Sequence, residues 1–188
     1  MKNDIKRYFT EHVDVANKTV ELLANEIENA CDIITECIAN GNKVLLFGNG
    51  GSAADAQHIA AEFTGRFVKE RRSLPAIALT TDTSALTAIG NDYGFERIFE
   101  RQVEGLANSG DVLIGISTSG NSPNVVKAIA LGKVLGCKSI GLTGRDGGEM
   151  NDFCDINIVI PSQITARIQE MHILIGHIIC AAVDLKNG

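Results

Sequence analysis

The chain has 188 residues, a length that fits one domain with a sizeable core. Hydrophobic residues make up 45% and charged ones 21%, which argues against an extended disordered chain. Lys and Arg number 17 against 23 Asp and Glu, leaving a net charge of −6. That balance argues against a nucleic-acid clamp or a binder of anionic membranes, because both need a basic surface. Phosphorylated substrates stay open, since local dipoles rather than net charge hold them. Residues 1–7 run into a charged helical pattern with no apolar stretch behind it, so no signal peptide is expected. No apolar run reaches the roughly 20 residues of a membrane span. Cys31, Cys37, Cys137, Cys154 and Cys180 are an odd, scattered set without a CxxC pair, which suits free thiols in a reducing compartment. The expectation is a cytoplasmic globular protein.

Residues 9–37 carry apolar or small side chains at alternating spacings of four and three: Phe9, Val13, Ala16, Val20, Leu23, Ile27, Ala30, Ile34 and Cys37. This is a helical stripe with heptad character, closed by Gly41. One long helix and two helices joined near Asn25 fit the pattern equally. The stripe covers the chain's own core, a partner subunit, or both.

From residue 43 short apolar, β-branched runs alternate with helical patterns. Strands are predicted at 43–47, 75–80, 112–116, 139–142 and 156–160. Helices are predicted near 52–68, 83–89, 95–107 and 122–135, and over 165–185. Near-continuous apolar strands separated by crossover helices read as a parallel sheet covered on both faces. The predicted fold class is α/β, a three-layer α/β/α domain with five parallel strands. It forms a single domain over 1–188, with residues 1–40 as an N-terminal helical extension and 41–188 as the core. Ligands of such sheets bind beyond the carboxyl ends of the strands, where strand order reverses, so residues just after each strand carry the chemistry.

The first strand ends in Gly48-Asn-Gly-Gly-Ser-Ala-Ala-Asp55. Its glycines let the backbone turn tightly and approach a ligand, and Ser52 is placed to cap the next helix. Gly48-x-Gly50-x-x-Ala53 matches a dinucleotide fingerprint only weakly, and Asp82 comes too late to complete it. No Gly-Lys-Ser/Thr follows, so a Walker loop is excluded and no nucleotide cofactor is expected. A merely tight turn is the plain alternative. Asp82, Asn91 and Asp92 suit sugar hydroxyls, or else serve as the turn and cap residues that Asn and Asp commonly are.

The third strand ends in Gly115-Ile-Ser-Thr-Ser-Gly-Asn-Ser-Pro123, in which Ser117, Thr118, Ser119 and Ser122 crowd four hydroxyls into six positions. Free amides at the start of the next helix, with those hydroxyls, form an anion site that needs no Lys or Arg. A helix cap would need only one of them, so a phosphate is the natural guest.

His58 and Glu62 stand i, i+4 on one helix face among Ile59, Ala60, Ala61 and Phe63, and burial of that face would raise the carboxyl pKa. On the last helix His172 and His177 are about 140° apart and cannot share a site. A lone histidine in the apolar run around His177 is commonly a satisfied core residue. With Glu62 beside a phosphate pocket, it becomes one half of an acid/base pair. His12 lies outside these segments and is read as solvated.

Together these segments resemble the sugar isomerase (SIS) family and, within it, the phosphoheptose isomerase branch. The matching pieces run from Gly48 through His58 to Glu62, from Thr80 through Asn91-Asp92 to Glu96, from Gly115 to Asn124, and from Ala166 through Gln169 to His177. The resemblance implies a flavodoxin-like core and a homotetramer. It implies conversion of sedoheptulose 7-phosphate to D-glycero-D-manno-heptose 7-phosphate, the first step towards nucleotide-activated heptose. By motif position, Ser117, Thr118, Ser119 and Ser122 would hold the phosphate, and Asn49, Gly50, Gly51, Asn91, Asp92 and Gln169 the sugar. Glu62 and His177 would form the acid/base pair, in either order of roles. Zinc is implied for some members, with His58, Glu62, Gln169 and His177 as the matching ligands. Gln169 and His177 are about 12 Å apart along a helix, so the site is expected to straddle a subunit interface. A related bacterial SIS protein that binds the replication initiator as a tetramer shares the Ser52-Ala-x-x-Ala-Gln-His pattern but lacks the equivalents of Glu62 and His177. This chain has both, which favours the enzyme over the binding protein.

Overall fold

Alternating β-branched and helical segments fold into thirteen elements in the computed structural model, which describes residues 1–187. In order they are α1 (Lys2–Ala39), β1 (Val44–Gly48), α2 (Gly51–Thr64), β2 (Ala76–Ala78), α3 (Thr83–Tyr93), a 3₁₀ turn (Phe95–Arg97) and α4 (Glu100–Leu106). There follow β3 (Val112–Ile116), α5 (Pro123–Val134), β4 (Lys138–Gly144), α6 (Met150–Phe153), β5 (Ile156–Ile160) and α7 (Thr165–Asn187). The sheet is parallel throughout, with strand order β2-β1-β3-β4-β5. Strand order reverses between β1 and β3, whose ends pair Gly48 with Ile116, and this is where a ligand crevice opens.

Alternate strand residues serve opposite faces. Val44 and Leu46 join α1, α2 and α7 in one apolar cluster, whereas Leu45 and Phe47 join α4 and α5 in the other. The three predicted layers are present. All residues of β1 and β3 are buried, which explains their unbroken apolar sequence.

Several boundaries differ from the sequence reading. The N-terminal stripe is one helix, and from Val15 to Ile38 it supplies buried residues to the core. Its first turns are exposed but held to α7, where Arg167 Nη1 donates to the Tyr8 carbonyl at 2.6 Å. Gly41, at φ +78°, ends it. The segment read as one helix over 95–107 splits into the 3₁₀ turn and α4, and Gly94 at φ +92° separates it from α3. Ser52 does not cap α2. Gly50 occupies the N-cap, and Ser52 is buried inside the first turn. His12 is not simply solvated, since its Nδ1 lies 2.8 Å from Glu170 Oε2.

The last helix also departs from the membrane expectation. Thr165–Lys186 is long and apolar enough to span a bilayer by length and composition, with a mean hydropathy of 1.4. Half of that window is buried inside the fold, packed on α1 and α2. It therefore serves as a core helix. His172, fully buried, hydrogen-bonds the carbonyl of Thr143 on β4 at 2.9 Å. Because that acceptor requires a donor, Nε2 carries the proton, and Nδ1 has no partner among the described residues. Burial pushes the His172 pKa down to about 4, against a partial lift from the Thr143 hydrogen bond.

Candidate active site

Two turns meet at the switch point. After β1 the backbone reverses through Gly50 at φ +57°. A Cβ on Gly48 would lie 2.8 Å from the Ile116 carbonyl oxygen, so the two strands end in contact only because residue 48 has no side chain. After β3 the Ser117 and Ser122 hydroxyls lie 2.9 Å apart across the loop. Neither α2 nor α5 has a side-chain cap. Among the described residues, no hydrogen bond takes the N–H of Thr118, Ser119 or Ser122. Free amides and hydroxyls around a helix start form an anion cradle.

Asn49 and Asn124 tie the two turns together through reciprocal amide hydrogen bonds of 2.9 and 2.8 Å. Asn124, which is buried, was not singled out by the sequence. Its only sequence signal is its place one residue after Pro123. A third support lies beneath the cradle. Gly120, at φ +67°, sits so close to the Gly147 carbonyl that a Cβ would approach within 1.9 Å. The glycine-rich turn at 144–148 signals this contact only after the fact.

Two hollows open beside the cradle. One of about 180 Å³ is lined by Gly48, Asn49, Gly50, Thr80, Phe95 and Phe99. The other, about 300 Å³, is bordered by Asn49, Phe95, Glu96, Ser122 and Asn124. Asn91 and Asp92 border neither hollow. Both are exposed, with Asn91 Nδ2 donating to Asp92 Oδ1 at 2.8 Å. Asp82 caps α3 by accepting from the Ala85 N–H, the plainer of its two readings.

The second cluster stands further along α2. His58 Nε2 lies 3.2 Å from Glu62 Oε1 and 3.5 Å from His177 Nε2. One of the two facing Nε2 atoms carries the proton in the imidazole pair. The Glu62 side chain keeps 24% of its surface exposed, so the face is less buried than the apolar neighbours suggest. His177 is not a core histidine. It is half-buried, and its ring stacks on Phe67 with centroids 5.3 Å apart. One turn before His58, burial pushes the Asp55 carboxyl up, and His58 pulls it partly back.

Gln169 lies elsewhere. Its Nε2 would be 2.7 Å from a Cβ on Gly51, so it packs over the first turn of α2 while His177 meets α2 two turns on. The chain thus brings His58, Glu62 and His177 together, and leaves Gln169 apart from them. As zinc donors, the imidazole–carboxylate–imidazole set has suitable chemistry. Its two contacts are near the roughly 3.3–3.4 Å donor separation that tetrahedral bonds of about 2.0–2.1 Å impose. Among the described residues, however, no three His, Cys, Asp or Glu side chains close on a common point as a metal requires.

A doubly wound parallel sheet with a hydroxyl-lined cradle at its switch point defines the class, and residues 7–144 match the SIS domain family. The chain belongs to that family and, within it, groups with the phosphoheptose isomerases. It is 62% identical over 184 residues to the phosphoheptose isomerase of Aliarcobacter butzleri, covering 98% of this chain and 97% of that one. Among solved structures, the phosphoheptose isomerase of Neisseria gonorrhoeae superposes with a TM-score of 0.93 at 45% identity, covering 98% of both chains. That of Francisella tularensis gives 0.94 at 40% identity, covering 97% of both. The SIS domain match stops before α7, but these full-length relatives include the helix that carries Gln169 and His177.

Proposed function

We propose that this chain, as one SIS domain, is a sugar-phosphate isomerase that converts sedoheptulose 7-phosphate to D-glycero-D-manno-heptose 7-phosphate. The observation that carries the reading is the Glu62–His58–His177 cluster: His58 and Glu62 stand on α2, the helix that follows the Asn49 turn braced to Asn124, and His177 reaches them from α7. Ser117, Thr118, Ser119 and Ser122 hold the phosphate. Asn49, Gly50, Gly51, Asn91, Asp92 and Gln169 address the sugar, and the Asn49–Asn124 pair keeps the loops in register.

Ketose-to-aldose isomerisation moves a proton from C1 to C2 through a cis-enediol. Glu62 takes the C1 proton and returns it to C2. His177 donates a proton to the C2 carbonyl oxygen while the C1 hydroxyl gives one up, so the oxygens exchange protons without net change. Positioned groups of this kind contribute about 10²–10⁴-fold each. No hydride leaves the substrate, and no nucleotide cofactor is needed. To hold zinc, His58, Glu62 and His177 would have to draw together, and the Gln169 amide would have to come from a second protomer. Such an ion would polarise the substrate oxygens.

The enzyme acts as a cytoplasmic homotetramer with sites across subunit interfaces. Two features support this. Gln169 and His177 meet α2 two turns apart within one protomer. The first half of α1 also leaves Ile5, Phe9, Val13 and Val20 exposed at helical spacing.

The test is product formation from sedoheptulose 7-phosphate by the wild type, Glu62→Gln and His177→Ala, each with and without a chelator. Turnover lost in both folded variants supports the isomerase and its pair, and chelator sensitivity decides whether a metal takes part. A folded wild type that binds the sugar phosphate without converting it overturns the proposal.

A further inference from the structure

Residues 65–75, between α2 and β2, form no helix or strand, yet they are anchored at one buried point. Asp184 on α7 accepts the N–H groups of Val68 and Lys69 at 2.8 and 2.9 Å through one carboxylate oxygen. Its other oxygen accepts Arg71 Nε at 2.7 Å. The Arg71 fork turns back to the end of α2, where Nη1 donates to the Phe63 carbonyl and Nη2 to the Glu62 carbonyl, both at 2.9 Å. Nη1 also reaches the Arg72 carbonyl. These are the orphan carbonyls of a helix C-terminus, satisfied by a planar cation. The two side chains are 1% and 3% exposed.

Burial alone would raise the Asp184 carboxyl, but the two backbone N–H groups and the guanidinium outweigh it and hold it below the usual range. A buried ion pair adds little net stability over an apolar pair of the same size. What this one adds is geometry. Asp184 lies seven residues after His177, on the same face of α7. The loop it holds carries Phe67, whose ring stacks on His177, and its Arg71 grips the carbonyl of Glu62 itself.

We infer that Asp184 and Arg71 are positioning residues, a clamp that fixes Glu62 and His177 relative to one another through the 65–75 loop. The inference rests on the isomerase reading for its kinetic consequence, and on the ring contact alone for its structural one. The clamp touches the end of α2 opposite the phosphate cradle, so its loss acts on proton transfer and not on phosphate binding.

The experiment compares the full-length wild type with Asp184→Asn, Arg71→Lys, Phe67→Leu and the Asp184→Asn/Phe67→Leu double variant. It measures kcat and KM for sedoheptulose 7-phosphate, and the imidazole resonances by NMR. Asp184→Asn is expected to lower kcat by about 10- to 100-fold, the scale of a misplacement near 1 Å, with KM within about twofold. Arg71→Lys keeps the charge without the fork and falls between it and the wild type. Phe67→Leu shifts kcat in the same direction, and the double variant loses no more than the worse single one, because both act through one loop. Should Asp184→Asn fail to fold, Phe67→Leu decides the matter alone. A folded Asp184→Asn with kcat within about twofold of wild type, or a change confined to KM, overturns the inference. The His177 resonance, which senses the Phe67 ring, is expected to move in Asp184→Asn. If the wild type shows no turnover, the isomerase reading fails by itself, and an unmoved His177 resonance then overturns the clamp separately.

Discussion

Protonating His172 should unlatch α7 from the sheet, and the size of the effect follows from its surroundings. The ring is fully buried, its Nε2–H is committed to Thr143, and Nδ1 faces no partner. A second proton would place an unpartnered cation in the apolar layer. With a folded pKa of about 4 against an ordinary 6.5, the unfolded chain binds the proton first. Stability from this group is therefore full above about pH 6.5 and drains as the pH falls towards 4. The full loss corresponds to about 3 kcal/mol, of which about 2 kcal/mol is gone by pH 5. His172→Leu removes the titration and leaves the Thr143 carbonyl short of one donor, a roughly pH-independent cost of about 1–3 kcal/mol. Urea unfolding of both proteins at pH 7.5 and pH 5, at one protein concentration, isolates the term. The wild-type advantage should shrink by about 2 kcal/mol between the two pH values. A gap constant to within about 0.5 kcal/mol would refute the reasoning, since His172 would then titrate alike in both states.

Gly120→Ala combines a left-handed backbone with a methyl driven against the Gly147 carbonyl. It should cost more than about 3 kcal/mol, and a melting temperature within about 2 °C of wild type would contradict that. Ser122→Ala removes the partner of the Ser117 hydroxyl and should raise KM for the sugar phosphate about tenfold with kcat nearly unchanged; steady-state kinetics separate the two. Phe9, 70% exposed on α1, should lie in a subunit contact. Phe9→Glu is expected to shift sedimentation to smaller species, and an unchanged sedimentation coefficient would place that contact elsewhere.

The strands were legible because β1 and β3 are buried on both faces, leaving no polar alternation to confuse the pattern. Helix ends were less so. The end of α2 at Thr64 is set by Arg71 folding back on its carbonyls, and nothing in the periodicity of 52–68 announces a cap that comes from the following loop. Long-range pairs were invisible for the same reason. His12 looked solvated because its partner, Glu170, is 158 residues away. The apolar run around His177 suggested a core position, yet helix packing turned that one side chain towards His58 and Phe67. The hydroxyl-rich turn was the clearest local signal, because an anion cradle is built from consecutive residues. Its Asn49–Asn124 brace was not, because that joins loops 75 residues apart.

The pairing of α2 with α7 sets two contact levels along α2. The helices run in the same direction, with Gln169 over Gly51 at one end and His177 over His58 two turns later. Gly176 permits the close approach, since a Cβ there would come within 2.5 Å of the Ile59 side chain. Parallel packing therefore keeps the Gln169 amide level with the first turn of α2, the positive end of that helix. It keeps the imidazoles of His58 and His177 two turns further along, where that bias has faded. The offset that holds Gln169 away from Glu62 within a protomer is thus a property of this helix pair. A site that used both groups would need the amide of a second chain.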